Sequence, residues 1–193
     1  TDENLLLSSG TASGKTEAAF LPVLTRLWEN PSASVGVLYL SPLKALINDQ
    51  FERLEGLLEE AAIPVTKWHG DASAAAKKRV MKRPQGIIQT TPESLESMLM
   101  HNSSGAYRLF SDLRFIIIDE MHYFMDNDRG LQLLCLLERL ARLIGYHPRR
   151  IGLSATLGDC TSAVQWLNTD SGRDCIVPKC HEKGRSLRLS VRF

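Results

Sequence analysis

Cysteine is scarce in this chain, and its spacing argues against two common kinds of small-domain stabilisation. Only four cysteines occur in 193 residues, and none of them forms a Cys-x-x-Cys pair. We therefore expect free thiols in a reducing compartment rather than a disulfide framework. Cys175 with Cys180-His181 offers a zinc site as the alternative, but a second ligand pair at zinc spacing is missing.

The chain also lacks a large net charge and a long apolar run. Its formal net charge is +1, which excludes a histone-like binder but leaves room for local binding of nucleic-acid phosphates. No apolar run reaches the ~18 residues that a membrane span needs. We therefore expect no membrane partner, no stable homo-oligomer and a cytoplasmic location.

The ends of the sequence carry two further expectations. The chain opens with Thr1-Asp2-Glu3-Asn4 and continues directly into a strand-like run, so a signal peptide is not expected. Because it has no starting Met, we expect a segment of a longer protein. Its composition, 44% hydrophobic and 23% charged, predicts a folded, soluble chain. Residues 1–193 suit one sizeable α/β domain.

Short apolar runs alternate with longer amphipathic segments along the chain. The runs are rich in Val, Ile and Leu, as buried parallel strands are, and they cover residues 5–8, 35–41, 65–68, 86–90, 115–119 and 150–154. Helical patterns cover 16–29, 43–62 and 131–143. This alternation predicts a three-layer α/β/α domain with a mainly parallel central sheet. Residues 185–193 alternate apolar and polar, which suits one more strand or the start of a linker.

A phosphate-binding loop is predicted directly after the first strand. Gly14-Lys15-Thr16 matches the end of the P-loop pattern, while Ser9 stands where that pattern has its first glycine. Small residues let backbone N–H groups surround phosphates, and the next helix points its N-terminus at them. The alternative is an ordinary Gly/Ser-rich turn. The predicted nucleotide-binding residues are Gly10, Thr11, Ala12, Ser13, Gly14, Lys15, Thr16 and Glu17.

Two carboxylates end the apolar strand at 115–119. Asp119 and Glu120 would lie at the carboxyl edge of the sheet, where open α/β folds bind their ligands. Lys15 would reach the β- and γ-phosphates, while Thr16 and Asp119 would hold Mg²⁺. Glu120 would orient and deprotonate the attacking water. The alternative is a surface turn that follows a strand.

Five segments together resemble the motifs of superfamily-two DExH-type helicases, in the order of that family. They are the P-loop, Ser41-Pro42-Leu43-Lys44-Ala45-Leu46 (motif Ia), Thr90-Thr91-Pro92-Glu93-Ser94-Leu95 (Ib), Asp119-Glu120-Met121-His122 (II) and Ser154-Ala155-Thr156 (III). Finer details resemble the large-helicase-related (Lhr-type) subgroup, with the superkiller-like helicases as close neighbours. These details are residues 14–22, Leu46, Asp49, Arg53, Leu54, Arg129-Gly130 and residues 152–158. Ser9-Gly10 and Ala12 depart from the Ala-Pro and Gly that are usual in the family.

The resemblance implies a RecA-like ATP-binding domain that couples ATP hydrolysis to movement along a nucleic acid. ATP and Mg²⁺ are its expected ligands, and Lys15, Asp119 and Glu120 are its expected catalytic residues. Ser154, Ala155 and Thr156, with His122, would link the ATP site to the strand. The residues expected at single-stranded or partly duplex DNA or RNA are Pro42, Leu43, Lys44, Thr91, Pro92 and Glu93. Ordinary helix capping explains Thr91 and Pro92 equally well.

Three features near residue 70 stay open between two interpretations. His69-Gly70-Asp71 and the basic residues Lys77, Lys78, Arg79, Lys82 and Arg83 either contact nucleic acid or form an ordinary loop and a solvated helix face. Trp68 either stacks on a base or packs at the rim of the core, and we favour the rim.

The resemblance also implies parts that this sequence lacks. A second RecA-like domain would supply arginine fingers, so we expect the isolated chain to bind nucleotide weakly and hydrolyse it poorly. One alternative is a non-hydrolysing nucleic-acid scaffold, which the intact Lys15, Asp119 and Glu120 disfavour. Another is a P-loop kinase or transporter ATPase, which leaves Ser-Ala-Thr and Thr-Pro-Glu unexplained.

Overall fold

The computed structural model describes residues 2–10, 14–43, 56, 58–155, 157 and 159–178. The strands in this part are β1 (Asn4–Ser8), β2 (Val37–Leu40), β3 (Val65–Trp68), β4 (Ile87–Thr90), β5 (Phe115–Ile118), β6 (Arg149–Ser154) and β7 (Cys175–Ile176). The helices are α1 (Lys15–Glu29), α2 (Ala74–Lys82), α3 (Pro92–His101), α4 (Ser103–Phe110), α5 (Asp128–Ile144) and α6 (Thr161–Asn168). Met121–Tyr123 forms a 3₁₀ turn.

The described strands form one parallel sheet in the order β3-β4-β2-β5-β6-β1-β7. Its central strands β2, β4 and β5 are buried along their whole length. Such strands favour apolar side chains on both faces, and these three are accordingly rich in Val, Ile and Leu, with Gln89 and Thr90 of β4 as buried polar residues. The parallel sheet that the sequence predicts is confirmed.

Helices cover both faces of the sheet. Helix α1 packs Phe20, Val23 and Leu24 against one face, which includes Tyr39 and Ile117. Helices α3 to α6 pack on the other face, against the alternate residues of the same strands. Neighbouring strand residues therefore contribute to two separate hydrophobic clusters, one on each side. The three-layer α/β/α arrangement follows directly.

Some elements differ from the sequence prediction. Helices α4 and α6 and strand β7 were not predicted, because segments of eight, eight and two residues are too short to carry a clear hydrophobic period. Strand β2 starts at Val37 rather than at residue 35, since the N–H of Val35 donates to Leu109 outside the sheet. Most of the helix predicted at 43–62, and all of residues 185–193, lie outside the described residues.

Three further observations concern membrane-spanning helices, metal-binding groups and the cysteines. In the described ranges, no helix combines the length and apolarity that a membrane crossing requires. Within those same ranges, no group of three or more His, Cys, Asp and Glu side chains is arranged to hold a metal. Cys135, Cys160 and Cys175 carry free thiols, whereas Cys180 and His181 lie outside the described residues.

Candidate functional site

Neighbouring strands bring the predicted catalytic segments to one edge of the sheet. Strands β5, β6 and β1 lie side by side in parallel, so their carboxyl ends point in the same direction. Ser8 at the end of β1 is opposite Ser154 at the end of β6. Ile118 at the end of β5 is opposite Gly152. The residues that follow these strands therefore emerge at the edge where open parallel sheets bind ligands.

The turn into helix α1 depends on glycine. Gly14 has φ +80°, a left-handed conformation that residues with a Cβ rarely adopt. The ammonium group of Lys15 donates to the carbonyl oxygen of Ser9 at 2.6 Å, across the loop. Thr16, the predicted magnesium ligand, is buried. Of the remaining predicted loop residues, Gly10 and Glu17 are partly buried, while Thr11, Ala12 and Ser13 lie outside the described residues.

Asp119 is a buried carboxylate, 5% exposed, and both of its oxygens accept hydrogen bonds. The Tyr39 hydroxyl donates to Oδ2, and the backbone N–H of Glu120 donates to Oδ1 at 2.9 Å. Burial raises the pKa of Asp119 above its ordinary value. The Tyr39 hydrogen bond opposes this rise, the charge of Glu120 adds to it and the charge of Lys15 opposes it. Lys15 and Asp119 thus follow strands whose carboxyl ends lie at the same edge of the sheet, although the two residues are far apart in sequence.

The donor atoms around Asp119 fit a magnesium ion. The Thr16 hydroxyl and the Asp119 carboxylate are oxygen ligands, the kind that Mg²⁺ prefers. Each Asp119 oxygen accepts a single hydrogen bond from the residues above and keeps a lone pair for a cation. A buried carboxylate is costly unless a cation or hydrogen bonds compensate it. The chemistry of this corner of the sheet therefore suits a bound divalent ion.

Glu120 occupies an unusual backbone conformation. Its φ of +46° lies in the left-handed region, which is uncommon for a residue with a side chain. Such strain clusters at functional sites, where the surrounding structure holds it in place. The next residues form the 3₁₀ turn that carries His122. The chain therefore reverses sharply after β5, which keeps Glu120 and His122 at the same edge of the sheet.

His122 connects this turn with the end of strand β6. Its Nδ1 lies 3.4 Å from the Ser154 hydroxyl oxygen, 3.4 Å from the backbone nitrogen of Ala155 and 3.4 Å from Glu120 Oε2. A ring nitrogen carries either a proton or a lone pair. His122 Nδ1 therefore either donates to the Glu120 carboxylate or accepts from the Ala155 N–H, but does not do both at once. The predicted coupling residues thus meet around one atom, apart from Thr156, which lies outside the described residues.

Ser8 is a contact residue that the sequence analysis missed. Its hydroxyl donates to the carbonyl of Ala155 at 3.1 Å and accepts from the N–H of Leu157 at 3.0 Å. The end of β1, just before the phosphate loop, is therefore bonded to the segment that follows β6. The available signal was a hydroxyl residue at the end of an apolar strand. Tyr39 was missed in the same way, as a single polar group within the strand Val37–Leu40.

The segments predicted to bind nucleic acid lie at the ends of β2 and β4. Thr91 caps helix α3 by accepting the N–H of Ser94 at 3.4 Å, and Pro92 is the first residue of that helix. Pro42, Thr91 and Pro92 are buried, whereas the Leu43 side chain is 52% exposed. Lys44 lies outside the described residues.

An open groove of about 520 Å³ runs beside these segments. It is lined by Leu43, Trp68, His69, Lys77, Thr91 and Ser97, among others. Trp68 packs against the core cluster, which agrees with the rim position favoured from the sequence. Lys77 lies 5.7 Å from the centre of the Trp68 ring and also donates to the carbonyl of His69. Helix α2 buries only Val80 and leaves its other basic residues on the outer face.

Comparisons with known proteins agree with the resemblance noted from the sequence. The family model for DEAD/DEAH box helicases matches residues 1–163. The chain is 37% identical to the ATP-dependent helicase Lhr-Core of Methanocaldococcus jannaschii, over 91% of this chain and 22% of that protein. It is 34% identical to the Lhr helicase/probable uracil glycosylase of Mycolicibacterium smegmatis, over 98% of this chain and 13% of that protein.

Solved structures give the same result for the fold. The helicase Lhr of Mycobacterium smegmatis, bound to ssDNA and AMP-PNP, matches with a TM-score of 0.74 and 32% identity, over 92% of this chain and 24% of that one. The DUF1998 helicase MrfA, bound to DNA and AMPPNP, matches with a TM-score of 0.79 and 29% identity, over 92% and 25%. The chain therefore spans about a quarter or less of the length of the relatives described here.

Proposed function

Because the chain belongs to the DEAD/DEAH box helicase family, we propose that it is the ATP-binding motor domain of an ATP-dependent DNA or RNA helicase or translocase. The observation that carries this proposal is the parallel order of β1, β6 and β5, which points the carboxyl ends of β1 and β5 toward the same edge of the sheet. Lys15 and Asp119, which follow these two strands, would share one nucleotide site there. The domain would work with a second RecA-like domain.

In the proposed site, each residue has a defined task. Lys15 leaves the Ser9 carbonyl and binds the β- and γ-phosphates, and the first N–H groups of α1 add to this binding. Thr16 and Asp119 would hold Mg²⁺, which screens the charge on the phosphates. Glu120 orients the attacking water and accepts its proton. The Tyr39 hydrogen bond fixes the orientation of the Asp119 carboxylate.

The coupling to nucleic acid would run through the contacts of His122 and Ser8. Both side chains touch the segment after β6, one from the catalytic turn and the other from the strand before the phosphate loop. A change in the contacts of the γ-phosphate would therefore reach Ser154 and Ala155 through a small number of hydrogen bonds. The positive end of the α3 dipole would face the sugar–phosphate backbone of a single strand, in contacts largely independent of base sequence.

The test is ATPase activity of the whole protein with and without single-stranded DNA or RNA. A motor is stimulated by the strand, whereas a non-hydrolysing scaffold shows no turnover and a P-loop kinase is indifferent to the strand. Absence of stimulation by both nucleic acids would contradict the proposal. The cytoplasmic location and the absence of a stable homo-oligomer remain predictions from the sequence.

A further inference from the structure

Arg129 has contacts that its position in helix α5 does not explain. It lies in the first turn of α5, where the helix dipole disfavours a positive charge. Its guanidinium donates to Glu93 Oε1 at 2.8 Å and to the carbonyl oxygen of Pro42 at 2.6 Å. The same group lies 5.4 Å from the centre of the Phe124 ring. One side chain therefore contacts three separate segments of the chain.

The three segments are those that the proposed function uses. Pro42 follows β2, Glu93 lies in the first turn of α3, and Phe124 follows the 3₁₀ turn after Asp119 and Glu120. Two of the segments would hold the strand, and the third leads back to the catalytic carboxylates. The first turn of α5 thus contacts the two segments proposed to hold the strand and also the segment that follows the catalytic carboxylates.

The base of Arg129 is held in place by its neighbour. A Cβ at Gly130 would lie 1.6 Å from the carbonyl oxygen of Phe124, so the backbones of α5 and of the segment before it pack closely. Asn127 caps the helix by accepting the N–H of Gly130 at 3.0 Å. The backbone of Arg129 is therefore held in place, and its side-chain contacts set the distance between the segments that it joins.

Glu93 is engaged with Arg129. Burial raises the pKa of Glu93, but the hydrogen bond and charge of Arg129, together with other hydrogen bonds, lower it overall. An unpaired carboxylate beside a phosphate would repel the strand, whereas a paired one is neutralised. The contact with Arg129 thus gives Glu93 a structural task beside the predicted strand site.

We propose that Arg129 is a positioning residue that holds the Pro42 segment and the start of helix α3 at the spacing needed to grip successive phosphates. Glu93 serves as its anchor and does not itself contact the strand. The inference rests on the proposed function, because it assumes that these two segments bind nucleic acid. Arg129 acts by fixing the positions of these neighbouring segments.

The rival interpretation is that Arg129 binds a phosphate directly. The strand affinity of the Glu93→Ala variant distinguishes this interpretation from the positioning role. If Arg129 positions the segments, Glu93→Ala weakens strand binding as Arg129→Ala does, and the double variant is no worse than either. If Arg129 is itself the phosphate ligand, removal of the nearby negative charge leaves binding unchanged or strengthens it. If Arg129 binds a phosphate directly, Arg129→Ala should also reduce the slope of log affinity against log salt concentration by about one.

The experiment measures strand-stimulated ATPase and the binding of a fluorescent single-stranded oligonucleotide by the whole protein. Arg129→Ala and Glu93→Ala are expected to raise the strand concentration for half-stimulation about tenfold, since residues that share one contact are strongly coupled. Turnover at saturating strand should stay within about twofold. The matched control is Arg142→Ala on the same helix, because Arg142 pairs with Glu138 at the same 2.8 Å but is far more exposed.

Hydrogen exchange gives a readout that does not depend on strand binding. The amides of Ser94 and Leu95, which donate to Thr91 at the start of α3, should exchange faster in Arg129→Ala than in the wild-type protein or Arg142→Ala. Unchanged exchange, or a Glu93→Ala variant that binds the strand as tightly as the wild type or more tightly, would overturn the inference. If the wild-type protein binds no strand, the proposed function fails, while the exchange result still decides whether Arg129 positions these segments.

Discussion

Glu120 combines a strained backbone with a position next to the buried Asp119, and this makes it the residue with the sharpest catalytic test. Glu120→Gln removes the proton acceptor but keeps the size and shape of the side chain. We expect nucleotide binding to persist and turnover of the whole protein to fall by about two orders of magnitude or more. Glu138→Gln on helix α5 is the control. Persistent turnover in Glu120→Gln would show that another group is the base.

Gly130 allows a residue-scale prediction about stability. A methyl group there would overlap the Phe124 carbonyl, so the helix must shift or the contact must open. Gly130→Ala should lower the free energy of unfolding by about 3 kcal/mol, at the upper end of the cost of overpacking. Urea denaturation measures this change. Gly56→Ala is the control, since no atom of the described residues lies within 4 Å of a Cβ at that position, and equal effects of the two variants would contradict the packing argument.

At the scale of elements, the hydroxyl of Ser8 joins β1 to the segment after β6. Ser8→Ala leaves the N–H of Leu157 without this partner. A lost hydrogen bond of this kind costs about 1–2 kcal/mol. We expect faster hydrogen exchange at Leu157. Thr25→Ala is a suitable control, because its hydroxyl donates to Leu21 on the exposed side of α1. Equal exchange rates at Leu157 in both variants would argue against the connection.

Among the strands and helices, some features can be predicted from the sequence and others cannot. Parallel strands are predictable where burial on both faces favours apolar runs, and all but the two-residue β7 were predicted, including the half-buried Val-Thr-Lys-Trp strand β3. Lys15, Asp119 and Glu120 were identified because their motifs are local in sequence. The hydrogen bonds of Tyr39 to Asp119, Ser8 to Ala155 and Arg129 to Glu93 were not predictable, since each joins residues 36 or more positions apart. Only the packed sheet brings those partners together.

At the scale of the whole molecule, the 193-residue chain provides one side of the proposed nucleotide site. A second RecA-like domain would supply the arginines that stabilise charge on the γ-phosphate. We therefore predict that the isolated chain binds nucleotide weakly, hydrolyses it slowly and is not stimulated by a strand. A coupled phosphate-release assay on the isolated chain and the whole protein measures this difference. Full strand-stimulated turnover by the isolated chain would contradict it.

The most direct test of the central claim is calorimetric titration of the wild-type chain and Lys15→Ala with magnesium–ATP. The claim is that Lys15, Thr16, Asp119 and Glu120 form one nucleotide site at the edge where β1 and β5 end. Lys78→Ala is the matched control, because Lys78 is an exposed lysine on helix α2. The account predicts binding by the wild type and Lys78→Ala and no measurable binding by Lys15→Ala. Binding of equal strength in all three would contradict it.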